Sequence, residues 1–175
     1  MHLDEIIPEY DKREVHQIEI GAPASVVYDA VWKLDLNQSI IVRNLMRLRG
    51  MPPDSLSMRG LIDLGFNILA EDPPRELVIG LAGRFWTSYP ELPQLDEGAF
   101  KAFSEPGQGK AAWNFLIQTL GDNRVLLRTE TRVLCADKKS KRIFSFYWFF
   151  IRPFSGWIRT LMLKIIKADA EASVG

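Results

Sequence analysis

From Lys139 to Ala172 the sequence carries one long helical pattern, in which Phe144, Trp148, Ile151, Ile158, Met162 and Ile165 recur close to the three-or-four spacing of a single helix face. A rod with that much apolar surface needs a partner, and the segments before it alternate as strands do. The sheet they form must therefore grip the helix. Phe146, Phe149, Phe150 and Trp157 lie off the main stripe, which implies burial on two sides, by the sheet and by a second surface. The expected fold class is α+β, a curved antiparallel sheet wrapped around a C-terminal helix. The space between them is then either packed core or a pocket for an apolar ligand.

The chain has 175 residues, which fits a single domain spanning 1–175 that buries roughly two-thirds of its unfolded surface. Twenty-two basic side chains balance 22 acidic ones, so no global field favours nucleic acid, and none is expected as a partner. Cys135 has no second cysteine to pair with, and the charged start MHLDEIIPEYDKRE does not read as a secretory signal. The expected compartment is cytoplasmic. The densest apolar stretch, Ile143 to Ile151, stops at Arg152 and Pro153, well short of the ~20 residues a membrane span needs.

Residues 1–12 show no sustained period and read as a surface segment. Glu14 to Ile20 alternates as a first strand, and Gly21-Ala22-Pro23 ends it. A helix over Ala24 to Lys33 buries Val27, Ala30, Val31 and Leu34. Asn37 is the expected N-cap of a second short helix carrying Ile40, Ile41, Leu45 and Leu48, closed by Gly50-Met51-Pro52-Pro53. Leu61 to Ala70 and Arg75 to Trp86 read as a hairpin around Asp72-Pro73-Pro74. Thr87 to Gly98 reads as a loop, Phe100 to Ser104 as a short strand, and Lys110–Leu120 and Arg124–Ala136 as two long strands joined at Gly121-Asp122-Asn123.

The stretch Ile18-Glu19-Ile20-Gly21-Ala22-Pro23-Ala24-Ser25-Val26-Val27-Tyr28-Asp29-Ala30-Val31 is similar to the opening of the SRPBCC superfamily, also called START-like or Bet v 1-like, in which a strand ends at an Ala-Pro turn and starts the first helix. Lys110 to Phe115, Thr129 to Val133 and Tyr147-Trp148 through Arg159 resemble a bacterial branch of it. The resemblance implies a helix-grip fold with two short helices after the first strand. It also implies a cavity of the kind used by lipid and hormone carriers, polyketide cyclases and aromatases, and oxygenase subunits. The oxygenase option needs iron ligands, and with His2 and His16 as the only histidines no metal site is expected and no cofactor is implied.

Arg128, Glu130 and Arg132 share one face of their strand and alternate with Leu127, Thr129, Thr131 and Val133. Register decides their role. An odd loop after Leu120 puts Trp113 and Phe115 with Thr131 and Thr129 and turns the charges to solvent as an ion-pair ladder. An even loop sends the charges into the cavity, with Glu130 held between arginines and its pKa lowered. Arg84 and Trp86, beyond the small residues Gly80 and Ala82, read as a pocket mouth or as surface pair and core cap. Tyr147, Trp148 and Ile151 read as core or pocket wall, with Pro153 expected to kink the helix and Ser155-Gly156 to loosen it. Arg152, Arg159, Lys164 and Lys167 read as a solvated basic edge.

The ligand-cavity candidates are accordingly Arg84, Trp86, Trp113, Phe115, Glu130, Arg132, Tyr147, Trp148 and Ile151. No motif identifies a reaction: there is no nucleophile elbow, and Gly107-Gln108-Gly109-Lys110 lacks the spacing of a phosphate loop. The expected function is non-enzymatic binding of a small hydrophobic or amphipathic molecule. The alternatives are a cyclase-type enzyme using Glu130, Arg132, Arg84 or Tyr147, and a filled-core domain that self-associates as a homodimer through exposed aromatics near Phe149 and Trp157.

Overall fold

The computed structural model describes residues 1–36, 57–87 and 90–175. Five strands, β1 (Lys12–Ile20), β2 (Asn67–Asp72), β3 (Glu76–Gly83), β4 (Gly109–Gly121) and β5 (Arg124–Cys135), form one antiparallel sheet in the order β1-β5-β4-β3-β2. The helices are α1 (His2–Ile6), α2 (Ala24–Trp32), α3 (Met58–Asp63), α4 (Glu97–Ala102) and α5 (Lys138–Ala172). α5 lies against β1 and β5 with α2 beside it. Its start is fixed by Asp137, whose carboxylate accepts from the Ser140 amide and hydroxyl, both at 2.8 Å, and from the Gly107 amide at 2.6 Å. The helix continues through Pro153 as one element.

Both faces of the sheet are covered. On the α5 side, Leu77, Ile79, Phe115, Ile117 and Leu127 pack against α2 and against Met162, Leu163 and Ile166, while Leu81, Ala111 and Val133 pack around Phe144. On the other side, Val78, Ala82 and Ala112 pack against Leu3, Ile6 and Ile7 of the N-terminal segment and Phe100 of α4. The strand pleat sends alternate residues to each layer, so β3 and β4 are buried on both faces. Gly80 is where α4 comes closest: a Cβ there would stand 2.5 Å from Leu69 Cδ1 and 3.1 Å from the Phe100 ring.

Several expectations need correction. Residues 1–12 do not merely lie over the surface, because Leu3, Ile6 and Ile7 are fully buried and supply the outer layer. The first half of the expected Leu61–Ala70 strand belongs to α3, whose N-cap Ser57 accepts from the Gly60 amide at 3.0 Å; the strand begins after Gly65, at φ +100°. Phe100 to Ser104 is helical over its first three residues, with Asp96 capping Ala99 at 2.7 Å. Among the described residues no second surface covers the aromatics off the main stripe of α5: Phe146 and Phe149 are 71% and 75% exposed. The helix expected from Asn37, with Ile40, Ile41, Leu45 and Leu48, lies outside the described residues.

Candidate functional site between the sheet and α5

Register builds a polar patch in the middle of the helix-facing surface. Glu14 on β1 stands opposite Thr131 on β5, which stands opposite Trp113 on β4; one step along, His16 faces Thr129 and Thr129 faces Phe115. Toward one end of α5 lies the Phe144 cluster, and toward the other the cluster of Met162, Leu163 and Ile166. The stretch of helix between them carries Gly156 and Arg159. Gly156 permits the close approach there, since a Cβ would stand 2.7 Å from Glu14 Oε1 and 3.5 Å from His16 Cε1.

Within the patch Glu14 Oε1 and His16 Nε2 are 2.9 Å apart, and the Arg159 guanidinium lies over the Trp113 ring, 5.5 Å from its centre. Five side-chain atoms here are buried and find no hydrogen-bond partner among the described residues: Glu14 Oε2, Trp113 Nε1, Thr129 Oγ1, Thr131 Oγ1 and Arg159 Nε. A buried polar atom left so costs about 1–3 kcal/mol, and folded proteins satisfy most such atoms with protein groups, ordered water or a bound molecule. Burial pushes the Arg159 guanidinium down to about 10, with the Glu14 charge pulling the other way. It remains a cation at neutral pH. The patch thus offers two N–H donors, two hydroxyls and a carboxylate oxygen, framed by Phe66 edge-on to Trp113 at 5.0 Å and by Tyr147 and Trp148 near Phe144.

The sequence-predicted residues divide between the two faces. Trp113 and Phe115 lie on the α5 side with Thr131 and Thr129, the register expected from an odd loop. Trp86, Tyr147 and Trp148 join the Phe144 cluster, and Ile151 is half-buried farther along α5. Glu130 and Arg132 face the opposite side of the sheet. Arg84 also stands apart, beside Gly107 on the wall of an open cleft of about 760 Å³ with Glu91, Phe103 and Glu105. Sequence reading missed Glu14 and His16, and took Arg159 for part of a solvated edge. The signal was present: Glu14 and His16 share a strand face with Ile18 and Ile20, and Arg159 falls between Ile151 and Met162 on the buried stripe.

Glu130 and Arg132 belong neither to a solvated ladder nor to the interior space. Glu130 is fully buried beneath the N-terminal segment, accepting from Arg13 Nε at 2.7 Å, Arg132 Nε at 2.8 Å and Arg128 Nη2. Burial alone would raise its pKa, but the hydrogen bonds and charges of Arg13 and Arg132 outweigh that and hold it near about 2. Arg132 continues outward to the Ile7 carbonyl at 3.1 Å and Asp4 at 2.6 Å, which ties α1 to the sheet. Asn114 is no edge residue: it gives its amide to Glu76 at 2.7 Å and accepts the Glu130 backbone N–H at 3.0 Å. This network borders an open cleft of about 820 Å³ that Arg13, Arg75 and Arg128 also line.

Strand order, antiparallel register and the terminal helix across one face decide the architecture. The fold is a helix grip. No protein-family model matches the chain, and no curated protein matches it. Among solved structures it is similar to norcoclaurine synthase of Thalictrum flavum, at 9% identity and TM-score 0.48 over 94% of this chain and 96% of that one. The Zhui aromatase/cyclase of Streptomyces sp. R1128 aligns at 13% identity and TM-score 0.35, over 94% and 96%. The di-domain ARO/CYC BexL of the BE-7585A biosynthetic pathway aligns at 16% and 0.38, over 91% of this chain and 46% of that one. At such values the helix grip rests on this chain's own topology, and so does any reading of its site.

Proposed function

We propose that the protein binds a small amphipathic molecule between the sheet and α5, with the ligand's polar end on Glu14, His16 and Arg159 and its apolar body among the aromatic side chains. One observation carries this: the five unpartnered polar atoms sit together, at the centre of an otherwise apolar interface, where core packing alone would have placed aliphatic side chains. A ligand with an oxygen acceptor for Arg159 Nε and Trp113 Nε1, and a hydroxyl donor for Glu14 Oε2, satisfies what the chain leaves open. A phenol, or a hydroxyketone on an apolar body, has that chemistry. Trp86, Trp113, Phe115, Tyr147, Trp148 and Ile151 are the wall residues of this reading, and apolar contact there contributes about 25 cal/mol per Å² buried.

Native mass spectrometry of protein purified from its own host tests it. A bound mass released on denaturation, present in the native chain and lost in Arg159→Met at unchanged thermal stability, is the expected result. Absence of any bound mass, together with equal binding of an anionic naphthalene dye by the native chain and Arg159→Met, rejects it.

The Glu14–His16 pair supports a second reading, an acid–base enzyme acting on an enolisable carbonyl compound. A histidine oriented by a carboxylate is suited to remove a proton, and a neighbouring guanidinium to hold the resulting enolate. On this reading His16→Asn abolishes turnover of a bound carbonyl compound while leaving its binding intact.

A further inference from the structure

Along its solvent side α5 presents Ile143, Phe146, Phe149, Phe150, Phe154 and Trp157, between 41% and 75% exposed. On a helical wheel they fall on one arc, opposite Phe144, Trp148, Met162 and Ile166. Three of the rings touch, Phe146–Phe150 at 5.1 Å and Phe149–Phe150 at 5.3 Å, and Phe154 and Trp157 carry the same arc on, so the stripe extends over about 16 Å of helix from Phe146 to Trp157. Lys139 and Arg142 lie on the same arc before it and Lys164 beyond it, with Arg152 and Lys138 at its flank, all of them exposed. From Lys138 to Ala168 the sequence contains no Asp or Glu, although the whole chain is electrically neutral.

We infer that this face docks onto an anionic membrane surface, the rings entering the headgroup boundary and the cations pairing with lipid phosphates. An exposed aromatic stripe bracketed by Lys and Arg, on a helix whose first 31 residues carry no acid, is the pattern of a segment that lies in a bilayer interface without crossing it. None of the helices among the described residues is long and apolar enough to cross. A second copy of the chain is a poorer occupant. The stripe carries positive charge at both ends, so two copies set face to face would oppose like charges whether parallel or antiparallel. This goes beyond the proposed ligand site and does not depend on it, because no residue of the interior patch takes part.

Co-sedimentation with vesicles tests the inference. The native chain is expected to pellet with phosphatidylcholine vesicles containing phosphatidylglycerol at about 0.1 M salt, to release at about 1 M, and to leave pure phosphatidylcholine largely unbound. Arg142→Gln with Lys164→Gln should lower partitioning about 25-fold, roughly fivefold for each cation removed. Phe149→Ser with Phe150→Ser should abolish it, and circular dichroism melts should show all four substitutions to be folded. Equal pelleting on neutral and anionic vesicles overturns the inference, as does binding that survives both double variants. A concentration-dependent dimer dissolved by the Phe→Ser pair, without vesicle binding, assigns the face to self-association instead.

Discussion

Glu130 is fully buried and Arg159 partly so, and the structure treats the two charges oppositely. Glu130 has three arginines around it and a backbone amide of its own strand held by Asn114. Removing it leaves those arginines facing a buried neutral group, so Glu130→Gln should destabilise by about 3 kcal/mol at neutral pH, read from urea unfolding. The same pair sets a pH dependence. Because the folded pKa lies below the ordinary 4.5, the stabilisation is fully present above that value and is lost as pH falls toward about 2. Native protein should therefore lose stability over that window, and Glu130→Gln should lack that component. Arg159, by contrast, has its Nε unpartnered and its charge held against burial. Arg159→Met should leave the unfolding free energy from urea titration unchanged or raise it; a fall of more than about 2 kcal/mol would make the guanidinium a structural group and remove it from the proposed ligand site.

At the scale of elements, what could be read from the chain was what repeats over many residues. The long strands and α5 each carry their period for ten positions or more, and their observed bounds fall within two residues of expectation, Gly109–Gly121, Arg124–Cys135 and Lys138–Ala172. Short elements are decided by single side chains. α3 and α4 have six residues each, too few for a period, and depend on the caps Ser57 and Asp96. α1 is shorter still, and what fixes it is distant: Glu76 accepting the His2 amide at 2.9 Å and Arg132 reaching Asp4. Since Leu3 is fully enclosed in the outer layer, Leu3→Ala should cost about 2–3 kcal/mol and expose α1 amides to hydrogen exchange before any β4 amide. Gly156→Ala is the matching test on α5. Helix propensity gains up to about 1 kcal/mol, while the added methyl pushes on Glu14, so stability should change little and ligand retention should fall.

Considered whole, the molecule has one sheet with two different linings, and the pleat sorts them. The outer lining is nearly closed: Glu76, Asn114, Glu130 and Arg132 hydrogen-bond to one another or to α1, Lys110 gives its ammonium to the Phe100 and Lys101 carbonyls at 3.0 and 2.6 Å, ending α4, and among the described residues Arg128 Nε is the buried side-chain atom left open there. The inner lining does not close, and its open atoms gather at one place. Sequence alone showed that the two linings exist, because alternation is visible in β5, but not which one is sealed. Sealing depends on α1, α4 and the Arg–Glu pairing, all set by contacts far apart in the chain. If the inner lining is completed by a ligand, the folded state gains stability by mass action, about 2.7 kcal/mol at a free concentration one hundred times Kd. For a chain of this length each kcal/mol moves the midpoint by about 2–4 °C, so protein as isolated should melt roughly 5–10 °C above protein stripped over a hydrophobic resin. Returning the extracted molecule should restore the higher midpoint in the native chain and not in Arg159→Met. Identical melting before and after stripping, with a bound mass demonstrably removed, would place that molecule outside the folded interior.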